Sequence, residues 1–114
     1  MEYCNDFKYD LEVGQAKEKE IADIFNSKKI DVKYDLQAPQ TKNVYVEYFS
    51  RGKYSGISKT QSDYYCFCFG DTFHLIETEL LKDRCRKYLN TNRDRVGGDN
   101  NTSKGILLPI EELF

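Results

Sequence analysis

The fold is decided by Ile30-Asp-Val-Lys-Tyr-Asp-Leu36, a stretch in which polar and apolar residues alternate without a break. A period of two is the signature of a β-strand. Asp31, Lys33 and Asp35 are therefore expected to leave the strand on one face, opposite the apolar residues. A polar face of this kind is either the solvent side of a sheet or a group of charges with a chemical role.

The segments around this strand predict an α/β (α+β) domain of two layers. Residues 14–26 and 79–89 have the apolar spacing of amphipathic helices, the second with Leu80, Leu81, Cys85 and Leu89 facing inward. Pro109 places the last predicted strand at a sheet edge or ends it. The other predicted strands cover segments rich in β-forming residues: 44–50, 63–69 and 72–77.

Length and composition exclude several classes of protein. The 114 residues fit one domain, and their net charge of −2 argues against wholesale electrostatic binding to nucleic acid. No apolar run approaches the ~20 residues that span a bilayer, so no membrane role is expected. The absence of a signal-peptide pattern and four cysteines that read as reduced thiols predict a cytoplasmic protein.

Cations are concentrated in two groups that could contact phosphates. A solvated helix face and a charged loop are the plainer interpretation of the same residues. Aromatic residues such as Tyr54 and Tyr65 could likewise stack on unpaired bases or serve only for packing. The two groups are Lys82, Arg84, Arg86, Lys87, Arg93 and Arg95, and Arg51, Lys53 and Lys59.

A hairpin between residues 30–36 and 44–50 would give the polar face a chemical role. With its turn near Gln40, Lys33 is expected opposite Glu47, and Asp35 opposite Tyr45. Three carboxylates and a lysine would then converge, which suits Mg²⁺ or Mn²⁺ and the hydrolysis of a phosphodiester bond. The alternative is a solvent-facing hairpin that carries paired opposite charges.

The order of short motifs resembles the PD-(D/E)XK nuclease superfamily, and looks most like its short phage-encoded members and its Holliday-junction resolvase branch. The resemblance covers the chain from Gly14 to Ile110. Its motifs are Gly14-x-x-x-Glu18, Asp31-Val-Lys33, Asn43-Val-Tyr-Val-Glu47 and Ser55-Gly-Ile-Ser-Lys-Thr-Gln-Ser-Asp-Tyr-Tyr65.

The resemblance implies a restriction-endonuclease-like mixed sheet with an N-terminal helix and a second helix packed on it, in a single nuclease-like domain over residues 1–114. Asp31 and Lys33 would be the acid and lysine of the (D/E)xK signature, and Lys33 would position the attacking water. The further acidic residues Asp35, Glu47 and Glu18 would help to hold the metal. The residues implied to lie near the phosphate backbone are Arg51, Lys53, Ser55, Lys59 and Thr60.

A second register of the same motifs stays open. In it Asp35 is the separate aspartate of the family pattern and Glu47 opens the (D/E)xK half, which puts Phe49 at the lysine position. Phe49 cannot act as a base or a cation, so Lys33 would serve from the neighbouring strand or activity would be lost.

The expected function is Mg²⁺- or Mn²⁺-dependent endonuclease activity on branched or structured DNA, by a homodimer in the cytoplasm, or in the host-cell cytoplasm if the protein is phage-encoded. The first alternative is a decayed nuclease fold that binds DNA or regulates. The second alternative is a protein-interaction module whose strand merely presents charge.

Overall fold

Two β-sheets and short helices make up a mixed α+β fold, which confirms the predicted class. The structure is a computed structural model, and it describes residues 15, 16, 18–20, 22, 23 and 26–114. The first sheet has the strand order β1-β4-β5 and the second β3-β2-β7-β6. The elements are β1 (Ile30–Tyr34), α1 (Ala38–Thr41), β2 (Asn43–Ser50), β3 (Lys53–Tyr54), β4 (Tyr64–Phe69), β5 (Thr72–Glu77), α2 (Thr78–Arg86), β6 (Asp94–Gly97) and β7 (Ser103–Pro109), with 3-10 turns at Gly56–Ser58, Asp99–Asn101 and Ile110–Leu113.

The predicted hairpin is wrong. β1 pairs in parallel with β4, so that Asp31 lies beside Tyr65 and Lys33 beside Phe67, whereas β2 belongs to the other sheet. The reason lies in the connection, which closes a helical turn with proline in its first turn and then turns at Lys42 in the left-handed conformation. A tight hairpin would need a short turn of another kind, so the chain leaves the first sheet here.

On β1 the apolar face is exposed and the polar face is covered, which is the reverse of a strand at the protein surface. On its apolar side Val32 is 48% exposed and Tyr34 78% exposed. The paired residues Tyr65 and Phe67, on the polar side, are almost fully buried. Lys33 therefore points towards the second sheet, because residues paired across a parallel ladder share one face of the sheet.

The hydrophobic core lies between the second sheet and the elements that cover it. Val44 and Val46 on β2 and their neighbours Ile106 and Leu108 on β7 are buried. β7 is an inner strand of this sheet, and Pro109 is its last residue, where a missing amide donor does no harm. The edge position allowed for this strand was wrong, and the strand end at Pro109 is correct.

The other predicted elements fall close to their expected places. The described residues from 15 to 27 are helical, and all of them are exposed. β4 and β5 match the predicted strands, whereas β6 was not predicted. Cys66, Cys68 and Cys85 are free thiols, and Cys4 lies outside the described residues.

The second helix ends earlier than predicted, and only part of its expected apolar face is buried. Leu81 and Cys85, four residues apart, face the core. Leu80 and Leu89 are each 42% exposed, contrary to the prediction. Leu80 precedes Leu81 by one residue, so its side chain points to a different side of the helix from the buried stripe. Leu89 lies beyond the end of the helix at Arg86.

Replacing Leu81 by alanine tests this register of α2. Because Leu81 is fully buried, Leu81→Ala is expected to lower the free energy of unfolding by about 2–5 kcal/mol. Leu80→Ala, its neighbour on the exposed side, is expected to change it by only about 0.5 kcal/mol. Urea unfolding followed by circular dichroism measures both, and equal losses would contradict the helix register.

Candidate functional site

The polar face of β1 and the middle of β2 enclose a cavity of about 210 Å³ between the two sheets. Lys33 reaches it from β1, and Glu47 from β2. Tyr65 and Phe67 on β4 line it as well, together with Gly56. We call this space the Lys33–Glu47 cavity. The pair was expected to meet across a hairpin, and it meets instead across the gap between two sheets.

Asp31 holds Lys33 in an ion pair. Lys33 Nζ lies 3.3 Å from Asp31 Oδ1, and the two side chains are 49% and 31% exposed. An ion pair this open to water contributes little to stability. It restricts where the ammonium group can point, and it leaves Lys33 partly accessible at the wall of the cavity.

Glu47 is positioned by the chain that follows β2. Ser55 Oγ donates a hydrogen bond of 2.9 Å to Glu47 Oε2. Ser55 returns to this point because Arg51 and Gly52 both have positive φ, which is the requirement of a two-residue hairpin turn between β2 and β3. The β2–β7 register shifts between Glu47 and Phe49, so a β-bulge at Tyr48 also sets the direction of Glu47.

Gly56 must be glycine for the turn to approach Glu47 so closely. Its φ is +50°, and a Cβ atom there would lie 2.2 Å from the carbonyl oxygen of Glu47. Neither condition suits a residue with a side chain. The turn at Gly56–Ser58 therefore lies directly beside the cavity.

Asp35 is engaged by backbone amides. Its Oδ1 accepts hydrogen bonds of 3.1 Å from the amides of Gln37 and Ala38. Its Oδ2 accepts one of 3.3 Å from the amide of Tyr45. Asp35 does reach Tyr45, as expected, but through the backbone and at the start of β2. The side chain thereby joins the end of β1 to α1 and to the second sheet.

The predicted convergence of carboxylates is only partial. Over the residues that the structure describes, no three His, Cys, Asp or Glu side chains come together in a way that could hold a metal ion. Glu18 is an exposed helical residue and does not line the Lys33–Glu47 cavity. Asp31 and Glu47 remain as the carboxylates at or beside the cavity, and a metal bound there stays a prediction.

Tyr65 was expected either to stack on bases or to serve for packing, and the structure places it at the wall of the cavity. Its hydroxyl is buried and makes no hydrogen bond of standard geometry to any described residue. Burial raises the pKa of Tyr65, an effect that the nearby Thr60 hydroxyl opposes and the charge of Asp31 strengthens. Tyr65 therefore keeps its proton and offers a donor at the cavity wall. The alternation of aromatic residues on β4 was the sequence signal that these side chains face the interior, at Tyr65, Phe67 and Phe69.

Tyr45 closes one end of the site and explains two glycines. Its ring lies against Gly105 and Gly97, where a Cβ atom would come within 2.6 Å and 3.0 Å of it. Tyr45 Oη shares a hydrogen bond of 2.9 Å with Ser103 Oγ. Burial raises the pKa of Tyr45, so this group also stays protonated.

The two groups of cations differ in how they are engaged. Arg51, Lys53 and Lys59 are exposed, and their side chains form no ion pair or hydrogen bond within the described part of the chain. Of the other residues implied to lie near phosphate, Ser55 bonds Glu47 and Thr60 Oγ1 bonds Ser62 Oγ. The second group is mostly paired: Lys82 with Glu79, Arg86 with Asp83, Lys87 with Glu112, and Arg93 with Asn43 and the Leu107 carbonyl.

Comparisons with known proteins give no match from which a function could be taken. Neither a family model, nor a curated protein, nor a solved structure matches this chain. None of the helices within the described ranges has both the length and the apolar character needed to cross a membrane.

Asp35→Ala separates a structural role from a ligand role. Three backbone amides would lose their hydrogen bond to the carboxylate, and the Ala38 amide keeps a bond of 3.3 Å to the Asp35 carbonyl. The free energy of unfolding is therefore expected to fall by about 1–3 kcal/mol in the presence of EDTA. Asp71→Ala, at an exposed turn, is the matched control and should change it by about 0.5 kcal/mol at most. Urea unfolding measures both variants. A loss that appears only when Mn²⁺ is present would contradict the structural role.

Proposed function

We propose that the Lys33–Glu47 cavity hydrolyses phosphodiester bonds of DNA with Mg²⁺ or Mn²⁺, in the manner of a PD-(D/E)XK endonuclease. The observation that carries the proposal is the meeting of Lys33 and Glu47 at one cavity, although they come from different sheets. Asp31 lies beside them through its ion pair with Lys33. Asp31 and Lys33 are the acid and the lysine of the (D/E)xK signature, and Glu47 is the further carboxylate that the resemblance implies.

Asp31 and Glu47 are the residues that would hold the metal. Mg²⁺ commonly uses only one or two protein carboxylates and keeps positions for water and phosphate oxygens. A set of two carboxylates therefore fits Mg²⁺, although it would be poor for a metal bound entirely by protein. When bound, the ion would polarise the phosphoryl group and lower the pKa of its water. Ser55 fixes one oxygen of Glu47 and leaves Oε1 for such contacts.

Lys33 supplies positive charge and hydrogen-bond donors at the cavity wall. Its ammonium can contact a nonbridging phosphate oxygen or orient the attacking water, and it would offset the charge that builds up in the transition state. The ion pair with Asp31 keeps the ammonium near the reacting groups. Tyr65, protonated and buried, is a further donor on the same wall.

The loop after β2 would hold the nucleic acid. Arg51, Lys53 and Lys59 are unengaged cations on the segment that also carries Ser55 and Gly56 to the cavity. Phosphate contacts of this kind position a duplex without reading its sequence. Binding is therefore expected to depend on salt and on the shape of the DNA, which is compatible with a branched substrate.

A second candidate is a nuclease fold that binds DNA without cutting it. Two observations favour it: no group of three metal-binding side chains lies within the described residues, and Phe49 occupies the lysine position in the second register. This protein would keep the loop cations and lose the metal.

Cleavage of labelled duplex, single-stranded, flap and four-way-junction DNA tests the proposal. We expect cutting with Mg²⁺ or Mn²⁺ and none with EDTA, and a fall in rate by roughly 10²–10⁴ in Lys33→Ala and in Glu47→Gln. The controls Lys104→Ala and Glu111→Gln change exposed charges elsewhere and should cut like the wild type. Binding without cutting on every substrate would favour the second candidate. RNA versions of the same substrates test whether the protein cuts DNA or RNA.

A homodimer is the assembly proposed for a branched substrate, because a two-fold pair places two equivalent sites on two strands. Sedimentation velocity at micromolar concentration, with and without a four-way junction, is expected to show a species of twice the 13.4 kDa chain mass. A single 13.4 kDa species under both conditions would contradict the dimer and leave the cleavage proposal intact.

A further inference from the structure

A second and larger cavity lies next to the first, on the other side of the Gly56–Ser58 turn. It has a volume of about 580 Å³ and is lined by Tyr48 and Tyr54, by Ile57 of the turn, and by Leu89 after α2. Lys82 and Arg86 of α2 line it as well. We call it the Tyr54 cavity. Its volume is within the ~300–1,000 Å³ usual for small-molecule sites.

The two cavities share their dividing wall. Glu47 and Gly56 line the Lys33–Glu47 cavity, and the residues that follow each of them line the Tyr54 cavity. Strand β2 and the Gly56–Ser58 turn therefore form the wall between the two cavities. A polymer held at the first cavity therefore passes close to the second.

The floor of the Tyr54 cavity is uncharged. Burial is the main cause that raises the pKa of the Cys85 thiol to about 12, so this group stays protonated and behaves as an apolar surface. Tyr48 is held protonated too, because burial and its hydrogen bond to Asp94 raise its pKa to about 12. This floor offers an apolar surface to a flat aromatic group, and the charged side chains of the cavity are those of Lys82 and Arg86.

Tyr54 presents an aromatic face at the rim. The residue is 65% exposed, and its ring meets Phe49 edge to face with the centroids 5.8 Å apart. This contact steadies the ring, and most of the side chain remains exposed.

Lys82 and Arg86 give the rim a positive side. Within the described part of the chain, both are paired only with residues of their own helix, Glu79 and Asp83, at spacings of three residues. Pairs of this type on an exposed helix are weak and exchange readily with other anions. Apolar floor, exposed ring and cations together match a planar aromatic group that carries a phosphate.

We propose that the Tyr54 cavity receives an unpaired nucleobase of the DNA bound at the Lys33–Glu47 cavity, with Tyr54 stacking on the base and Lys82 and Arg86 facing the adjoining phosphate. This inference rests on the proposed function, because it names the substrate feature that the same protein would select. Taking a base out of a duplex is unfavourable, and least so where the base is already unpaired. The cavity would therefore favour flaps, junctions and single strands over continuous duplex.

The test is binding of fluorescein-labelled oligothymidylate and of a blunt duplex, by anisotropy in Ca²⁺ to prevent cleavage. Tyr54→Ala is expected to weaken oligothymidylate binding about tenfold, and duplex binding less than twofold. Tyr54→Phe keeps the ring and should bind like the wild type. Because Tyr54 is exposed, the alanine variant should fold, and its urea unfolding curve verifies this.

An oligonucleotide made only of abasic residues separates stacking from phosphate contacts. It should bind the wild type and Tyr54→Ala equally, since the ring has no base to contact, whereas Arg86→Gln should weaken both polymers. A loss in Tyr54→Ala that is the same with and without bases would overturn the proposal, and so would no loss at all.

The outcomes also separate this inference from the nuclease proposal. If the protein cuts DNA and Tyr54→Ala changes nothing, only the base cavity is wrong. If Tyr54 is needed for oligothymidylate binding and nothing is cut with Mg²⁺ or Mn²⁺, the base cavity stands and the nuclease activity fails. Absence of any binding to either polymer overturns both.

Discussion

The three hydrogen bonds that Asp35 accepts from backbone amides are the constraint on which the site depends. They join the end of β1 to the start of α1 and to the backbone of Tyr45 in the other sheet. With this junction in place, β1 cannot fold back on β2, and its polar face turns towards the second sheet. Lys33 and Glu47 meet as a consequence, although no strand pairing connects them.

The segment from Glu47 to Ser58 converts one strand into the walls of two cavities. The bulge at Tyr48 and the turn at Arg51-Gly52 bring Ser55 and Gly56 back to Glu47, where only glycine allows so close an approach. Within this segment, Glu47 and Gly56 line the Lys33–Glu47 cavity, whereas Tyr48, Tyr54 and Ile57 line the Tyr54 cavity. The same local geometry therefore supports the proposed hydrolytic site and the proposed base cavity.

Much of this site could be predicted from the sequence, and the errors have physical causes. Asp31, Lys33 and Glu47 were identified from alternation and short motifs, and the structure brings them to or beside one cavity. The hairpin was wrong because the turn chemistry of residues 37–42 builds a helical turn. For Tyr54 and Tyr65 the sequence left stacking on bases and packing both open, and it did not predict the cavities that they line, since the role of an aromatic residue on a strand depends on its neighbours.

The sequence by itself determined the longer strands, the helix that begins near residue 79 and the side of each strand on which a residue lies, because these depend on local periodicity alone. The short elements α1, β3 and β6 were not predicted. Only the tertiary structure decided which face of β1 is covered, that Asp35 serves as a junction, and that α2 buries Leu81 in place of Leu80. These depend on contacts between residues distant in the chain, and no local pattern specifies which two sheets will face each other.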